Sequence, residues 1–546
     1  MNLFYLAQSG LNSAQSALSV VGNNLTNVMT PGYSRQSIML GEAGGKTTSS
    51  GFFGYGAQVN GVQRAYDGFV NNQLRGAYTE YTGQSSRYQQ LSQIDNMLGD
   101  DTSNISVSLN NIFKSLEEIS ADVPGQAARQ GALAKFKAIS YQFNSNSNTL
   151  NGLEKSTNTL ISQSVSDINA DATQLAKINA EIAKIHARSG DLPADLLDQR
   201  DSLLENLSLQ TGIKVNEDPT TGRVDVTLAN GLPLVNGDRS YQLEATVSSE
   251  DPTKTVVSYI DASGNRMPLD EEKMSGGKLG GLFKFRNEDL VDARNQLNQL
   301  ALQMANKFNE VNAAGFDLDG IAGGDIFSIA DPTATANRGN AGDGSLDIKF
   351  TDISNVKSED YTLTFKGPND TDWEVQTKDG RTITPTIGAS GELEFEGISI
   401  TPGGTPQPGD SFVLNPTAGA AGKLGVAITS GDQIAASSKA DAGSSNNENI
   451  KDMIAIKEAT LIGNGTLTEA YSSLVSSVGS SMTALKADIE TTGKAAKAIE
   501  FEKQSVSGVS VEEETVKFQM YMQYYQANAQ VLQAATTLFD SLLSIR

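Results

Sequence analysis

Both ends of this chain are patterned as long helices and carry almost no charge. From Met1 to Ser34 no Asp, Glu, Lys, Arg or His occurs. Within that stretch Phe4, Ala7, Leu11, Ala14, Leu18, Val21, Leu25 and Val28 step alternately by three and four, the spacing of a coiled-coil seam. Gly10 and Gly22 weaken this helix, and Thr30-Pro31-Gly32 ends it. At the other end Phe518, Tyr521, Tyr525, Asn528, Leu532, Ala535, Phe539 and Leu542 follow similar spacing, with no charge between Phe518 and Phe539. A surface helix normally presents Lys and Glu to water. These helices present Gln, Asn, Ser and Thr, which cost far less to bury than ions. The pattern therefore predicts ends that pair with one another and then pack against copies of themselves, and that are poorly ordered in the lone chain. An ordinary intramolecular hairpin with neutral surfaces is the plainer reading.

The rest of the composition removes whole classes of function. The formal charge is −23 over 546 residues, so nucleic acid and anionic membranes are not expected as partners. Absence of cysteine excludes thiol catalysis, disulfides and cysteine metal sites, and one histidine excludes multi-histidine centres. At about 150 residues per domain the length allows three or four domains. No basic-then-apolar leader is expected at the N-terminus, and no run of roughly 18 apolar residues suits a bilayer. Membrane insertion is not expected, and any export must use a route that needs no such leader.

Between the ends, the predicted order is helix, strand, helix, strand, helix. Residues 60–212 read as helical, with Ile161, Val165, Ile168, Ala172, Leu175, Ile178, Ile182 and Ile185 on one stripe and a further helix opening at Leu192-Pro193. Residues 213–275 alternate as strands around an Asn230-Gly231 turn. Residues 281–314 return to helix, 345–415 read as strands, and 448–500 as helix again. The expected fold class is multidomain α+β, a helical body with paired terminal helices and two inserted β-rich domains. Residues 1–35 and 508–546 would form the inner axial core, and 36–212, 276–344 and 416–507 the mainly helical body. Residues 213–275 would be a small β insertion and 345–415 an outer one.

Candidate chemistry is sparse. His186 lies alone on an amphipathic helix, where a structural role is the ordinary one. GFFGYGAQVNG resembles a phosphate loop only loosely, because strand-like residues rather than a helix follow it. Asp317, Asp319 and Asp325 hint at a calcium loop, but Ile321 stands where another oxygen ligand belongs. Asn24-Leu25-Thr26 is a sequon on an uncharged helix. No G-x-S-x-G elbow follows a strand. No catalytic, cofactor or metal site is expected.

The terminal motifs do resemble a known group. NNLTNVMTPGYSRQ (Asn23–Gln36) is similar to the N-terminal signature of bacterial flagellar axial proteins, its residues being Asn24, Asn27, Thr30, Pro31, Gly32, Tyr33 and Arg35. Ser507, Gly508, Val509 and Ser510, followed by FQMYMQYYQANAQVLQAATTLFDSLLSIR, resemble the shared C-terminal helix. AQVNGVQRAYDGFVNNQLRGA, DLLDQRDSLLENLS (Asp195–Ser208) and the segment Gly280–Gly320 are similar to the hook-associated protein 1 family. Val511-Glu512-Glu513-Glu514, Lys517-Phe518 and Ile454–Lys457 depart mildly from the usual family residues. The β insertions match weakly.

The resemblance implies a secreted, non-enzymatic subunit of the hook–filament junction that needs no cofactor. It implies a ring or helical assembly of about eleven copies per turn. Implied partners are the hook protein, hook-associated protein 3 as second junction protein, and a FlgN-type export chaperone at the C-terminal helix. Implied export is through the type III channel of the flagellum. A sibling hook or distal rod subunit is the alternative, though it is expected to lack DLLDQRD and the 280–320 match. A secreted enzyme or adhesin with such ends would carry its chemistry in 345–415, where no convergent His or paired-carboxylate pattern is found.

Overall fold

In a computed structural model, residues 2–49, 51–100 and 104–544 are described. Ten helices organise them: α1 (Asn2–Thr26), α2 (Gly68–Leu98), α3 (Ile105–Ala121), α4 (Gln126–Ser189), α5 (Ala194–Gln210), α6 (Gly277–Lys284), α7 (Leu290–Ala314), α8 (Glu448–Ala455), α9 (Leu467–Ser507) and α10 (Val511–Ser544). The fold is multidomain α+β, with long helices at both termini and several β-rich regions.

The helical body is built on α4, whose 64 residues extend for about 96 Å. Its apolar stripe buries Phe136, Phe143, Ile161, Ile168 and Leu175 completely. Gly190, in the left-handed region at φ 76°, stops it, and the chain re-enters helix after Pro193. The body is capped as a stable protein should be. The Asp67 side chain accepts from the amides of Phe69 and Val70 at the start of α2, and Thr466 and Glu469 form a capping box on α9. Phe113, Phe136, Phe308 and Phe327 meet at the upper core with ring centroids 5.5–6.1 Å apart.

Residues 36–64, expected within the helical body, instead form a β ribbon. β1 (Gln36–Glu42) pairs with β4 (Ala57–Arg64), and β2 (Gly45–Thr48) continues beyond it against β3 (Gly51–Gly54). Glycines and alternating Ile38, Leu40, Val59 and Val62 disfavour helix there. The ribbon base packs on α1, and the body helices begin only at Gly68.

In 213–275, β5 (Ile213–Glu217), β6 (Val224–Leu228), β7 (Pro233–Asn236) and β8 (Arg239–Ser240) make one sheet. β9 (Gln242–Val247), β10 (Thr255–Ile260) and β11 (Arg266–Pro268) make a second. Val224, Val226, Leu228, Leu243 and Val257 are buried with the lower stripe of α4. The segment 281–314 is interrupted by a π turn at Phe285–Asp289, where the fully buried Arg286 bonds Thr255 and Glu271.

Further on come β12 (Phe327–Ser328), β13 (Thr335–Ala336), β14 (Ser345–Phe350), β15 (Tyr361–Phe365), β16 (Trp373–Thr377) and β17 (Thr382–Ile383). They are followed by β18 (Thr386–Ile387), β19 (Leu393–Phe395), β20 (Ile398–Gly403), β21 (Ser411–Leu414) and β22 (Gly425–Val426). Sheets ordered β13-β21-β15-β16-β17 and β14-β20-β19-β18 share a core of Tyr361, Leu363, Trp373, Val375, Ile400 and Phe412. Residues 416–447, a Gly-, Ala- and Ser-rich stretch that leads to the helices from 448 onward, are mostly turns, since such a composition gives no helical stripe.

Candidate assembly interface

The two ends of the chain meet. Helices α1 and α10 lie side by side and antiparallel, fixed by two contacts. A Cβ on Gly10 would stand 2.1 Å from Oδ1 of Asn528, so the two backbones come together where Gly10 has no side chain. Fourteen residues further along each helix, Asn24 donates to Oε2 of Glu514 at 2.9 Å. That register sets the start of α1 opposite residue 536, leaving the last turns of α10 without a partner in the chain.

The buried line of α1 is Ala7, Gly10, Ala14, Ala17, Val21 and Asn24. Of the expected seam, Ala7, Ala14 and Val21 lie in this line, whereas Leu11, Leu18 and Leu25 flank it half-buried. The seam is rotated toward the small residues because those allow the helices to approach more closely. Phe4 is 47% exposed, and Val28 lies beyond the helix, which stops at Thr26 in a turn rather than at Thr30. On α10, Tyr521, Asn528, Leu532 and Ala535 face α1 half-buried. Phe518, Tyr525 and Phe539 are exposed, and the side chain of Leu542 lies outside the described residues.

Much apolar surface is left outward. Leu3, Tyr5, Leu6, Met520, Met522, Tyr524, Val531, Leu538 and Leu543 are all more than a third exposed. Among the described side chains of α10, Glu514 alone is buried.

The signature residues form the joint between this pair and the body. Asn24 uses its whole hydrogen-bonding capacity. It donates to Gln36 O and Glu514 Oε2 and accepts from Tyr33 Oη and Gln36 N, all at 2.8–2.9 Å. This consumes the sequon asparagine. Asn27 donates to Asn23 and accepts from the Thr30 hydroxyl, and Gly32, at φ 79°, turns the chain after the exposed Pro31. Arg35 reaches across to the C-terminal signature. Its amide donates to Ser507 O at 2.8 Å, and its guanidinium lies 3.3 Å from Val506 O and 3.4 Å from Glu513. Gly508 caps α9, Val509 is half-buried, and Ser510 accepts from the amide of Glu514 at the start of α10.

Sequence reasoning missed the other half of the joint. Asp198 on α5 accepts from the amide of Ser34 at 3.0 Å and from Arg64 at 2.9 Å, and Asp201 takes Arg64 at 2.7 Å. Arg200, fully buried, binds Asp201, Glu217 and the Gly222 carbonyl. Asp198 and Asp201 sit three apart on one helix face, the one available signal that DLLDQRD grips something. Burial, then the charges of Asp198 and Glu514, push the Tyr33 phenol up to about 12. Burial, then Asp201 and Glu217, do the same for Tyr66.

The remaining chemical candidates resolve into local structure. The His186 carbonyl accepts from Gly190 at the end of α4. One Asp317 oxygen accepts from the amides of Asp319 and Ile321, closing a turn. Among the described residues no group of three His, Cys, Asp or Glu is placed to hold a metal, and no helix is long and apolar enough to cross a membrane.

Comparison with known proteins gives the relationship. Residues 91–327 match the family described as flagellar hook-associated protein FlgK helical domain, and residues 335–416 match a hook-associated protein 1 D2-like domain. Residues 4–33 match the flagella basal body rod protein family. The flagellar hook-associated protein 1 of Salmonella typhimurium is 40% identical, with 99% of each chain covered. The chain belongs to the flagellar hook-associated protein 1 family. The Escherichia coli member is 38% identical, again over 99% of each chain. A solved hook junction protein FlgK from Burkholderia pseudomallei shares the fold with a TM-score of 0.72 at 24% identity, covering 80% of this chain and all of that one. The family is a structural one of the bacterial flagellum, and its two matched regions take in α3 to α7 with the sheets of 213–275, and the outer β region of this member.

Proposed function

We propose that this protein is a non-catalytic building block of the hook–filament junction, joining hook to filament and required for filament growth and motility. Copies assemble head-to-tail through the α1–α10 pair into a ring or short helical tube with about eleven per turn. The domain division of the sequence reading is retained in this proposal: the terminal helices as inner core, the helical body outside them, and the two β insertions furthest out. The hook protein contacts one end of the assembly and hook-associated protein 3 the other. Before export through the flagellar type III channel, a FlgN-type chaperone covers α10.

One observation carries this reading: a 34-residue helix that buries one of its described side chains and leaves Met520, Tyr524, Val531 and Phe539 facing water without a single charge between 518 and 539. Each large apolar side chain buried is worth roughly 1.5–3 kcal/mol, so such a surface gains most when neighbours cover it. The test is Met520→Asp in a strain lacking the native gene. Hooks without filaments and flagellin free in the medium are expected, with an unchanged circular dichroism melt of the purified chain. Normal filaments on such cells would remove the proposal.

A further inference from the structure

The terminal pair has one large apolar side on α10, but a head-to-tail contact between identical chains needs two different patches on each copy. The β ribbon supplies a second. Among the described residues its outer half is a sheet of two strands, β2 with β3, so each strand has an outer edge with no further strand beside it. Every residue of β3 is exposed; Phe52 is 65% and Phe53 47% exposed, and alternation sets them on opposite faces. Tyr55 beside them is 40% exposed. A lone two-stranded ribbon is marginal in water. Soluble proteins usually blunt such an edge with charge or proline. Here exposed Lys46, opposite Phe53, is the one charge on β2 and β3, and nothing from Thr47 to Gln63 is charged or proline.

The position of the ribbon is also informative. The Ser9 hydroxyl donates to Tyr55 O, and that of Ser13 to Ala57 O, so the ribbon lies on α1 about a quarter-turn round from the side holding α10. A chain of net charge −23 repels its copies wherever its surface is ionic. The outer ribbon, with Lys46 as its one ion, and the uncharged side of α10 from 518 to 539 are two extended surfaces on which that repulsion is weak.

We propose that the outer ribbon is a second self-assembly surface, seated in the polymer on the terminal helix pair of a neighbouring copy of this chain. This rests on the assembly role proposed above. Phe52 and Phe53 are its anchors, and the outer strand edges are covered as the neighbour closes over them.

The absence of cysteine makes a clean test possible. Two single-cysteine versions of the full chain, Phe53→Cys and Met520→Cys, are co-expressed in a strain lacking the native gene, and isolated flagella are treated with a short bismaleimide. A Phe53–Met520 cross-linked dimer that forms in flagella, and is lost on dissociation to monomers, is expected. Double substitution Phe52→Ser and Phe53→Ser should slow filament recovery roughly tenfold or more while leaving the melt unchanged. Cross-linking of Met520→Cys to its own kind without any Phe53 product would overturn the ribbon surface and leave the assembly role standing. A Phe53 product with a different flagellar protein would overturn it equally. Failure of both positions to link any copies, despite normal filaments, would overturn the assembly role as well.

Discussion

Two helix pairs join the N-terminal and C-terminal parts of this chain, and they are built on opposite rules. Helices α2 and α9 are capped and cross-braced; Tyr471 donates to Leu98 O at 2.8 Å and Thr492 to Gln84 at 2.9 Å, and Leu74, Leu91, Ile94, Tyr471 and Leu474 are buried. Helices α1 and α10 are no shorter than most, yet the buried side chains of α1 are small and α10 is nearly bare. The difference separates stability the chain carries by itself from stability conditional on neighbours. A helix whose apolar face is left open gains little over the conformational entropy of ordering it.

Phenylalanines break this comparison most sharply. Phe308 is fully buried among Phe113, Phe136 and Phe327. Phe308→Ala should destabilise the body by about 3–5 kcal/mol in denaturant unfolding. Phe539→Ala, in the uncovered turns of α10, should change monomer stability by less than about 0.5 kcal/mol and yet impair assembly. Equal losses of monomer stability would mean that the tail is not the conditional element. A smaller effect is expected at the joint. Asn24→Ala strands Tyr33 Oη and leaves the buried Glu514 with Lys517 as its remaining ion partner, 2.6 Å away. Removing those bonds should weaken the tail by about 1–3 kcal/mol, read as faster hydrogen exchange in α1 and α10 with the body unchanged. Below that stands Gly10→Ala, whose methyl meets the Asn528 amide. Overpacking on the order of 1 kcal/mol is expected, offset in part by the helix propensity of alanine. Exchange in α10 at wild-type rates would show that the close approach is unimportant.

The same contrast explains what was legible in the sequence. Helices with strong apolar stripes, such as that from Ile161 to Ile182, and strands with clean alternation, such as Tyr361-Thr-Leu-Thr-Phe365, announce themselves because one face is buried. The tail announces its period but not its face. Spacing by three and four selects Ala7, Ala14 and Val21 correctly but adds Leu11, Leu18 and Leu25 between them, where close approach instead selects Gly10, Ala17 and Asn24. Thr30-Pro31-Gly32 predicts a helix end later than the observed Thr26, because the bonds of Asn24 to Tyr33 and Gln36 that hold the chain as it turns away are made with residues beyond the helix. The ribbon from Gln36 to Arg64 is legible in part: GFFGYGAQVNG reads as turn and strand, whereas residues 60–64 read as helix because a half-exposed ribbon carries weak alternation. Asp198, Asp201 and Arg64 were invisible as a set because the contact spans more than 130 residues, and nothing local marks its partners.

The smallest effect is one of pH, and at the joint it falls on Tyr33. The Tyr33 phenol donates to Asn24, and its value near 12 reflects burial first and the nearby charges of Asp198 and Glu514 next. A group raised in the folded state contributes fully below its ordinary value near 10, and that contribution is lost as pH climbs through about 12. The tail should therefore loosen from the body between those values, because a phenolate cannot donate and is repelled by both carboxylates. A difference titration of tyrosinate absorbance between wild type and Tyr33→Phe isolates this one residue. A midpoint near 12 is expected, and a midpoint near 10 would mean that the joint leaves Tyr33 in water. Substitution by phenylalanine should also remove the alkaline loosening seen by limited proteolysis in residues 27–36. Cleavage that persists there with the same pH dependence would assign the transition to Tyr66, whose phenol is raised to the same value by Asp201 and Glu217 after burial.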